Sequence, residues 1–417
     1  MGKNKIKRNS ILYIVIFTLA LCAILILPKN REVLMIFNLF LLLITIIKAK
    51  FSLISLWSII NNYVLVNVYF YELTGTAYGI LGLTSNIYFN DMLFYMLIYN
   101  FSLFFWGTCT DYCRLEKEML TYDSTYFSKQ MSSIYAIIGI IFAYIAFPQM
   151  PFTFNSNTRF SALLPGNGWN HFSIVALLFA MPGLRKNRIV QFSYLFVCSW
   201  FLMHYERVDI LGLIIAILLI YVVKTSKNIK LSTVLKVGII VTLIFIILSY
   251  VGERRTGNVS FGISDVLAKL VSQNTASDIG YVYNSSCDFV KNDNLLYGKT
   301  YLTYIEGLIP LVDTPYRAGL IIKNLYNTPG GEFILTEPLI NFGMLGVIII
   351  PNIYLFIFKI ILKKRTVLRY NLYIFLIVTA FRYLWYGFSY IETAVIWFIP
   401  LLYLLYKFLR LRGVSYG

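Results

Sequence analysis

The sequence predicts an all-α, polytopic membrane protein with about twelve transmembrane helices and one large external loop. Three observations lead there. Hydrophobic residues make up 59% of the chain and charged residues only 13%, whereas soluble domains are nearer half apolar and a quarter charged. The apolar residues form continuous runs instead of alternating, which selects helices over a barrel. One polar stretch, 251–337, is far longer than an ordinary connection.

The apolar runs lie near 10–27, 32–48, 51–71, 91–109, 131–150, 169–184, 188–204, 208–223 and 231–250, and then 338–361, 370–388 and 391–408. Each approaches the roughly 20 residues that a bilayer core requires. The first follows "MGKNKIKRNS" and has no small-x-small cleavage site before Pro28, so it reads as a retained span. The runs at 169–184 and 188–204 are expected to be tilted or partly broken. The chain therefore divides into helices 1–9 over 1–250, the external loop over 251–337, and helices 10–12 over 338–417.

Orientation follows from lysine and arginine, which collect on cytoplasmic loops. Placing the N-terminus inside puts about 22 of them on inner segments, among them Lys48, Arg114, Arg188, Lys363 and Arg410. The short outer loops keep Lys29, Arg31, Arg159 and Arg207. Both ends are then cytoplasmic. The net charge of +17 is thus a topology signal and does not imply a nucleic-acid partner.

Within the external loop, "SDVLAKLVSQ" and "SDIGYVYNSSCDFV" read as short helices opened by serine, and "NDN" and "TPGG" as turns. A compact cap over the outer face is expected. Cys22, Cys109, Cys113, Cys198 and Cys287 form no CxxC pair, and the chain has only two histidines. Neither a disulfide framework nor a metal site follows. No nucleotide, Walker or hydrolase motif occurs, and no cofactor is implied.

The remaining charges fall on the outer side: His171, His204, Glu206, Arg207, Asp209, Arg254, Arg255, Glu332, Glu337, Arg382 and Glu392. Arg382 lies inside the eleventh run, about 18 Å from its inner end. An arginine there usually faces a polar cavity or a partner; outward snorkelling or a pair with Glu392 is the plainer alternative. The even-numbered runs begin at the outer face, so their positive dipole ends point outward. Asn167 or Asn170 can cap the sixth run, and Thr336 or Glu337 the tenth, with Pro338 in its first turn. Arginines near such ends suit a phosphate group.

Three stretches carry a family resemblance: "YERVDILGLIIAILL", "LLYGKTYLTYIEGLIP" and "GGEFILTEPLINFGMLGVIII". Their order resembles that of the O-antigen and capsular repeat-unit polymerases, the Wzy-type family, over roughly 160–400. The resemblance implies a membrane glycosyltransferase of the bacterial cytoplasmic (inner) membrane. It would transfer a growing glycan from undecaprenyl diphosphate to a sugar hydroxyl of a second lipid-linked unit. The implied partners are the undecaprenyl-diphosphate-linked oligosaccharide, membrane lipids and a chain-length regulator. A diphosphate leaving group calls for fixed positive charge. The candidate catalytic residues are Arg207, Arg382, His171 and Glu337. The candidate substrate contacts are Arg159, His204, Tyr205, Glu206, Arg254 and Arg255. Asp209 is a further candidate base, and Trp169, Tyr205, Trp385 and Tyr386 could stack on sugar rings. A lipid-linked oligosaccharide flippase and an O-antigen ligase are the alternatives.

Overall fold

The computed structural model describes residues 15, 17–74, 88–122, 129–148, 168–204, 206–225, scattered positions from 236 to 246, 273–292, 294–308 and 316–412. All regular elements among them are helical. Helical residues 17–25 precede α1 (Arg31–Ala49), α2 (Leu53–Thr74), α3 (Phe89–Cys109), α4 (Tyr112–Leu120), α5 (Lys129–Ala146), α6 (Trp169–Ala180), α7 (Arg188–Met203) and α8 (Val208–Thr225). Then come α9 (Asn274–Lys291), α10 (Lys299–Gly307), α11 (Ala318–Tyr326), α12 (Thr336–Leu362), α13 (Val367–Val378), α14 (Ala380–Tyr386) and α15 (Ile399–Leu411).

Among the described residues, six helical stretches are long and apolar enough to cross a membrane: α1, α2, α3, α5, α12, and a π turn continuous with α15 over Ala394–Leu411. α13 and α14 make a seventh if read as one span bent by 61°. The protein is thus a helical, membrane-embedded chain. The helices α6, α7 and α8 also lie where the sixth to eighth runs were expected. The sixth run ends as a helix at Ala180, where the 3-10 turn Met181–Gly183 around Pro182 leads on toward α7. The ninth run falls mostly outside the described residues.

Lipid supplies no hydrogen bonds, so the helices satisfy polar side chains on each other. Asn100 Nδ2 donates to Asn38 Oδ1 at 2.7 Å, and Asn62 and Asn100 exchange two bonds at 3.1 Å. This ladder joins α1, α2 and α3. Ser173 Oγ donates to Gly139 O at 2.7 Å where α5 meets α6. Chain ends of helices are capped locally: Asn30 Oδ1 accepts from Glu32 N and Val33 N, and Asn187 Oδ1 from Ile189 N.

α12 is two helices across a kink. Gly343 adopts φ 58°, ψ −144°, a conformation glycine allows. A side chain on Gly346 would come within 2.0 Å of Pro338 O, so the two arms fold closely together. The kink frees carbonyls that must be paired inside a membrane protein. Leu296 N donates to Ile340 O at 3.0 Å, Tyr297 N to Asn341 O at 3.1 Å, and Gly298 N to Asn341 Oδ1 at 2.9 Å. The expected cap at Thr336 or Glu337 is not used: Leu335 occupies the cap position, without a side-chain bond.

The outer segment differs from a cap resting on the surface. α9 starts earlier than its serine signal, with Gln273 Oε1 accepting from Ala276 N, and most of its residues are buried against α2, α3 and α12. Gly280 sits on Val68 so closely that a Cβ would meet it at 2.1 Å. Residues after the glycine turn at 330–331 run inward, where Glu332 N donates to Trp385 O at 2.8 Å and Ile334 N to Leu384 O at 2.9 Å. Apolar pattern alone could not show this, because a polar loop and a polar insert have the same composition.

Candidate functional site

The site is organised by the break between α13 and α14. α13 has only 12 residues, a rise of about 18 Å against a core of about 30 Å. α14 follows it after the 61° bend and packs on α2. Trp57 Nε1 donates to Tyr383 OH at 2.6 Å, and the Tyr63 ring stacks on Trp385 at 6.5 Å. Both partners sit in the half of α2 nearer its lysine-rich end, with Tyr63 about 15 Å from Leu53. α8 reaches the same level because Gly212 lets it touch the Val378 carbonyl; a Cβ there would lie 1.7 Å from that oxygen.

Arg382 consequently points into the bundle. Nε donates to Asp209 Oδ1 at 3.0 Å, and Nη2 donates to Glu206 Oε1. The arginine side chain is 5% exposed and the two carboxylates 3% and 0%. Asn170 Nδ2 donates to the other Asp209 oxygen at 3.0 Å. The guanidinium also covers the Tyr390 ring at 5.1 Å. Neither snorkelling nor a pair with Glu392 describes this arginine. A buried charge needs partners with tight geometry; Asp209 in the first turn of α8 and Glu206 just before it supply them.

His171 stands beside this cluster. Its ring contacts Tyr390 at 5.2 Å and Phe375 at 5.8 Å, and its Nε2 has no hydrogen-bond partner among the described residues although the residue is buried. His204 is placed differently. It closes α7, with Nδ1 against Trp200 O at 2.7 Å and its ring packed on Phe147 and Trp200 at 4.9 Å each. That makes it a helix-end residue in an aromatic box. Arg207 precedes the first turn of α8 and is half-buried. Arg159, Tyr205, Arg254 and Arg255 lie outside the described residues, as does Asn167. Trp169 and Trp385 are packed among aromatic neighbours, Trp169 on Phe398 at 6.0 Å.

A second cluster lies across the 380–392 segment. Glu337 accepts from Thr300 Oγ1 at 2.6 Å and from Tyr304 OH at 2.7 Å, so each oxygen has a donor. Asn341 Nδ2 in turn holds Thr300 Oγ1 at 2.7 Å. This Glu337 is built into the joint between α10 and α12. Glu332, five positions earlier, accepts only Gly319 N at 3.1 Å, on Oε2. Sequence reasoning placed Glu332 on the outer side but gave it no role, and missed Asn170 as a ligand of Asp209. Only the fold brings residues 170, 209 and 382 together.

The extramembrane ends carry ordinary tethers. At one end Asp91 is clasped by Lys29 at 2.6 Å and Lys291 at 2.7 Å; the bond to Asp91 holds the Lys291 ammonium above the usual lysine range. At the opposite end the short helix α4 is tied by Asp111–Lys359 at 2.5 Å and Glu118–Arg365 at 2.8 Å. Its Glu116 is buried and accepts from Leu53 N at 2.8 Å. Burial pushes that carboxyl up to about 8, against the opposing pull of the Leu53 N–H and the Tyr373 hydroxyl. An apolar cleft of about 310 Å³ between residues 20–27, α1 and α3 has the character of lipid-facing surface. No group of three or more histidines, cysteines or acids suited to a metal occurs among the described residues.

Comparison with protein families, with curated proteins and with solved structures finds no match to this chain.

Proposed function

We propose that this protein is a membrane glycosyltransferase of the Wzy type, with about twelve spans and both ends cytoplasmic. It extends O-antigen or capsular chains by moving the growing glycan from undecaprenyl diphosphate to a sugar hydroxyl of an incoming lipid-linked unit. The observation that carries this reading is the convergence on segment 380–392. Arg382, Glu206, Asp209 and His171 gather at it, and Glu332 is bonded to it through Trp385 O and lies against Gly387. A lipid-linked glycan has a diphosphate and a hydroxylated part, and both need polar groups within the membrane. Arg382 is committed to two carboxylates, so its role is to hold Glu206 and Asp209. Contact with the diphosphate then falls to Arg207, together with Arg159, Arg254 and Arg255. His171, with its open nitrogen, is the hydrogen-bonding group of that end.

Deleting the gene in its host tests the reading. Single repeat units in place of long surface chains are expected. A flippase is the second reading, favoured by the burial of Arg382 inside the helical bundle. It predicts loss of all surface glycan, with lipid-linked units trapped inside. A ligase would instead leave polymer unattached to lipid A. Arg207→Ala is expected to abolish chain extension at normal protein levels.

A further inference from the structure

The short helix α10 has three kinds of surface around its axis. Thr300, Thr303 and Tyr304 share the side turned to α12, as their helical spacing allows. Thr300 Oγ1 and Tyr304 OH donate to Glu337, and Thr303 Oγ1 donates to Thr300 O at 2.6 Å. Lys299 and Glu306 are exposed along a second edge. Leu302 and Ile305 form the third side, and they are 59% and 64% exposed. A helix in a water-facing loop would turn its apolar residues inward and its charges outward. Adjacent bare apolar side chains on a largely polar segment mark a contact surface.

The neighbouring surface says what covers it. Tyr301, at the edge of the apolar side, stacks on Phe342 at 6.0 Å, and a Cβ on Gly298 would lie 3.3 Å from the Phe342 ring. Phe342 is itself exposed and stands at the head of a row on α12: Leu345, Ile349, Ile353, Phe356 and Ile360. All are bare on a helix long and apolar enough to span, so the row faces lipid. From Leu345 to Leu362, just before Lys363 and Lys364, the helix rises about 25 Å, less than a hydrocarbon core of about 30 Å. Hydrocarbon therefore continues past the kink at Gly343, to the level of Phe342 and α10. The strap leading into α10 suits that depth, because Leu296 N, Tyr297 N and Gly298 N all donate to Ile340 or Asn341.

We infer that α10 lies in the boundary between head groups and hydrocarbon, with Leu302 and Ile305 inserted among phospholipid acyl chains. Each side of the helix then has a matching neighbour. The hydroxyl side meets Glu337 of α12, the Lys299–Glu306 edge meets head groups and water, and the apolar side continues the lipid-facing row of α12. Part of the long polar segment is thus a lipid contact, and the helix that supplies both donors to Glu337 is anchored in the bilayer. This holds whether or not the protein is a glycosyltransferase.

The test places an environment-sensitive fluorescent amino acid, genetically encoded, at Leu302, Ile305, Lys299 or Ile349, one site at a time. The full-length protein is studied in nanodiscs of phosphatidylethanolamine and phosphatidylglycerol. Each label replaces an exposed side chain, and size exclusion reports that the protein remains folded. Quenching is measured with iodide in the water and with phospholipid carrying a nitroxide high on its acyl chain. Labels at Leu302 and Ile305 are expected to behave like the one at Ile349. Nitroxide lipid should quench them several-fold more, and iodide several-fold less, than the label at Lys299. Iodide quenching at Leu302 and Ile305 equal to that at Lys299, while Ile349 reports lipid, overturns the inference. So does protection from both quenchers, which would put a protein surface or a second copy of this chain over the face.

Discussion

Replacing Arg382 by methionine tests the centre of the site. Methionine has similar length and no charge, so the packing changes little while both carboxylates lose their partner. Glu206 and Asp209 are 3% and 0% exposed. Removing one member of a buried ion pair costs about 3–5 kcal/mol, because the other charge is left uncompensated. Loss of the Tyr390 cation–π contact adds about 0.5–2 kcal/mol. Arg382→Met should therefore lower stability by roughly 3.5–7 kcal/mol. The compensated variant, with Glu206→Gln and Asp209→Asn added, should recover most of that loss, since neutral replacements of a buried ion pair are often tolerated. Denaturant titration of detergent-purified protein, followed by tryptophan fluorescence, measures both. Arg382→Met within about 0.5 kcal/mol of wild type would show that the cluster is not a desolvated ion pair. Equal loss in the single and compensated variants would refute the charge argument and leave packing as the cause. Chain extension is expected to stay absent in the compensated variant, because Glu206 and Asp209 no longer carry charge.

Further outcomes follow from individual contacts. Gly212→Ala should sharply reduce folded protein, because its Cβ would lie 1.7 Å from Val378 O; Gly238→Ala, with nothing within 4 Å, should match wild type in the same size-exclusion assay. Tyr383→Phe leaves the Trp57 indole N–H unpaired in the core and should cost about 1–3 kcal/mol in the same denaturant titration. The Glu116 carboxyl titrates at about 8 in the folded chain against 4.5 ordinarily. A raised folded value means its contribution is fully present below about 4.5 and is lost as pH rises through 8, up to about 5 kcal/mol. Melting curves from pH 6 to 9 should fall for wild type and flatten in Glu116→Gln; equal slopes would remove Glu116 as the source.

Some features were legible in the residues alone. Hydropathy located the helices well: α1, α2, α3, α5 and α12 begin and end within a few residues of the expected runs. "TPGG" announced the turn before Glu332. Caps were harder to read. Leu335, not Thr336 or Glu337, precedes α12, and Gly168, not Asn170, precedes α6. A capping side chain competes with tertiary bonds, and Asn170 spends its amide on Asp209.

The chain by itself determined that this is a helical membrane protein, because no other structure satisfies the backbone of such apolar runs in lipid. It also marked Arg382, Glu206 and His171 as unusual, since charge in an apolar run is costly wherever it points. Only the tertiary structure decided what those charges do. Whether Arg382 snorkels, meets Glu392 or lies between Glu206 and Asp209 depends on the 61° bend after Val378 and on Gly212 beside it. The same holds for Glu332 and Glu337. They are alike in sequence, but Thr300 and Tyr304 hold one, while Gly387 leaves room for the other against Gly319 N. Pairing is a three-dimensional property of groups distant in the chain, and periodicity carries no record of it.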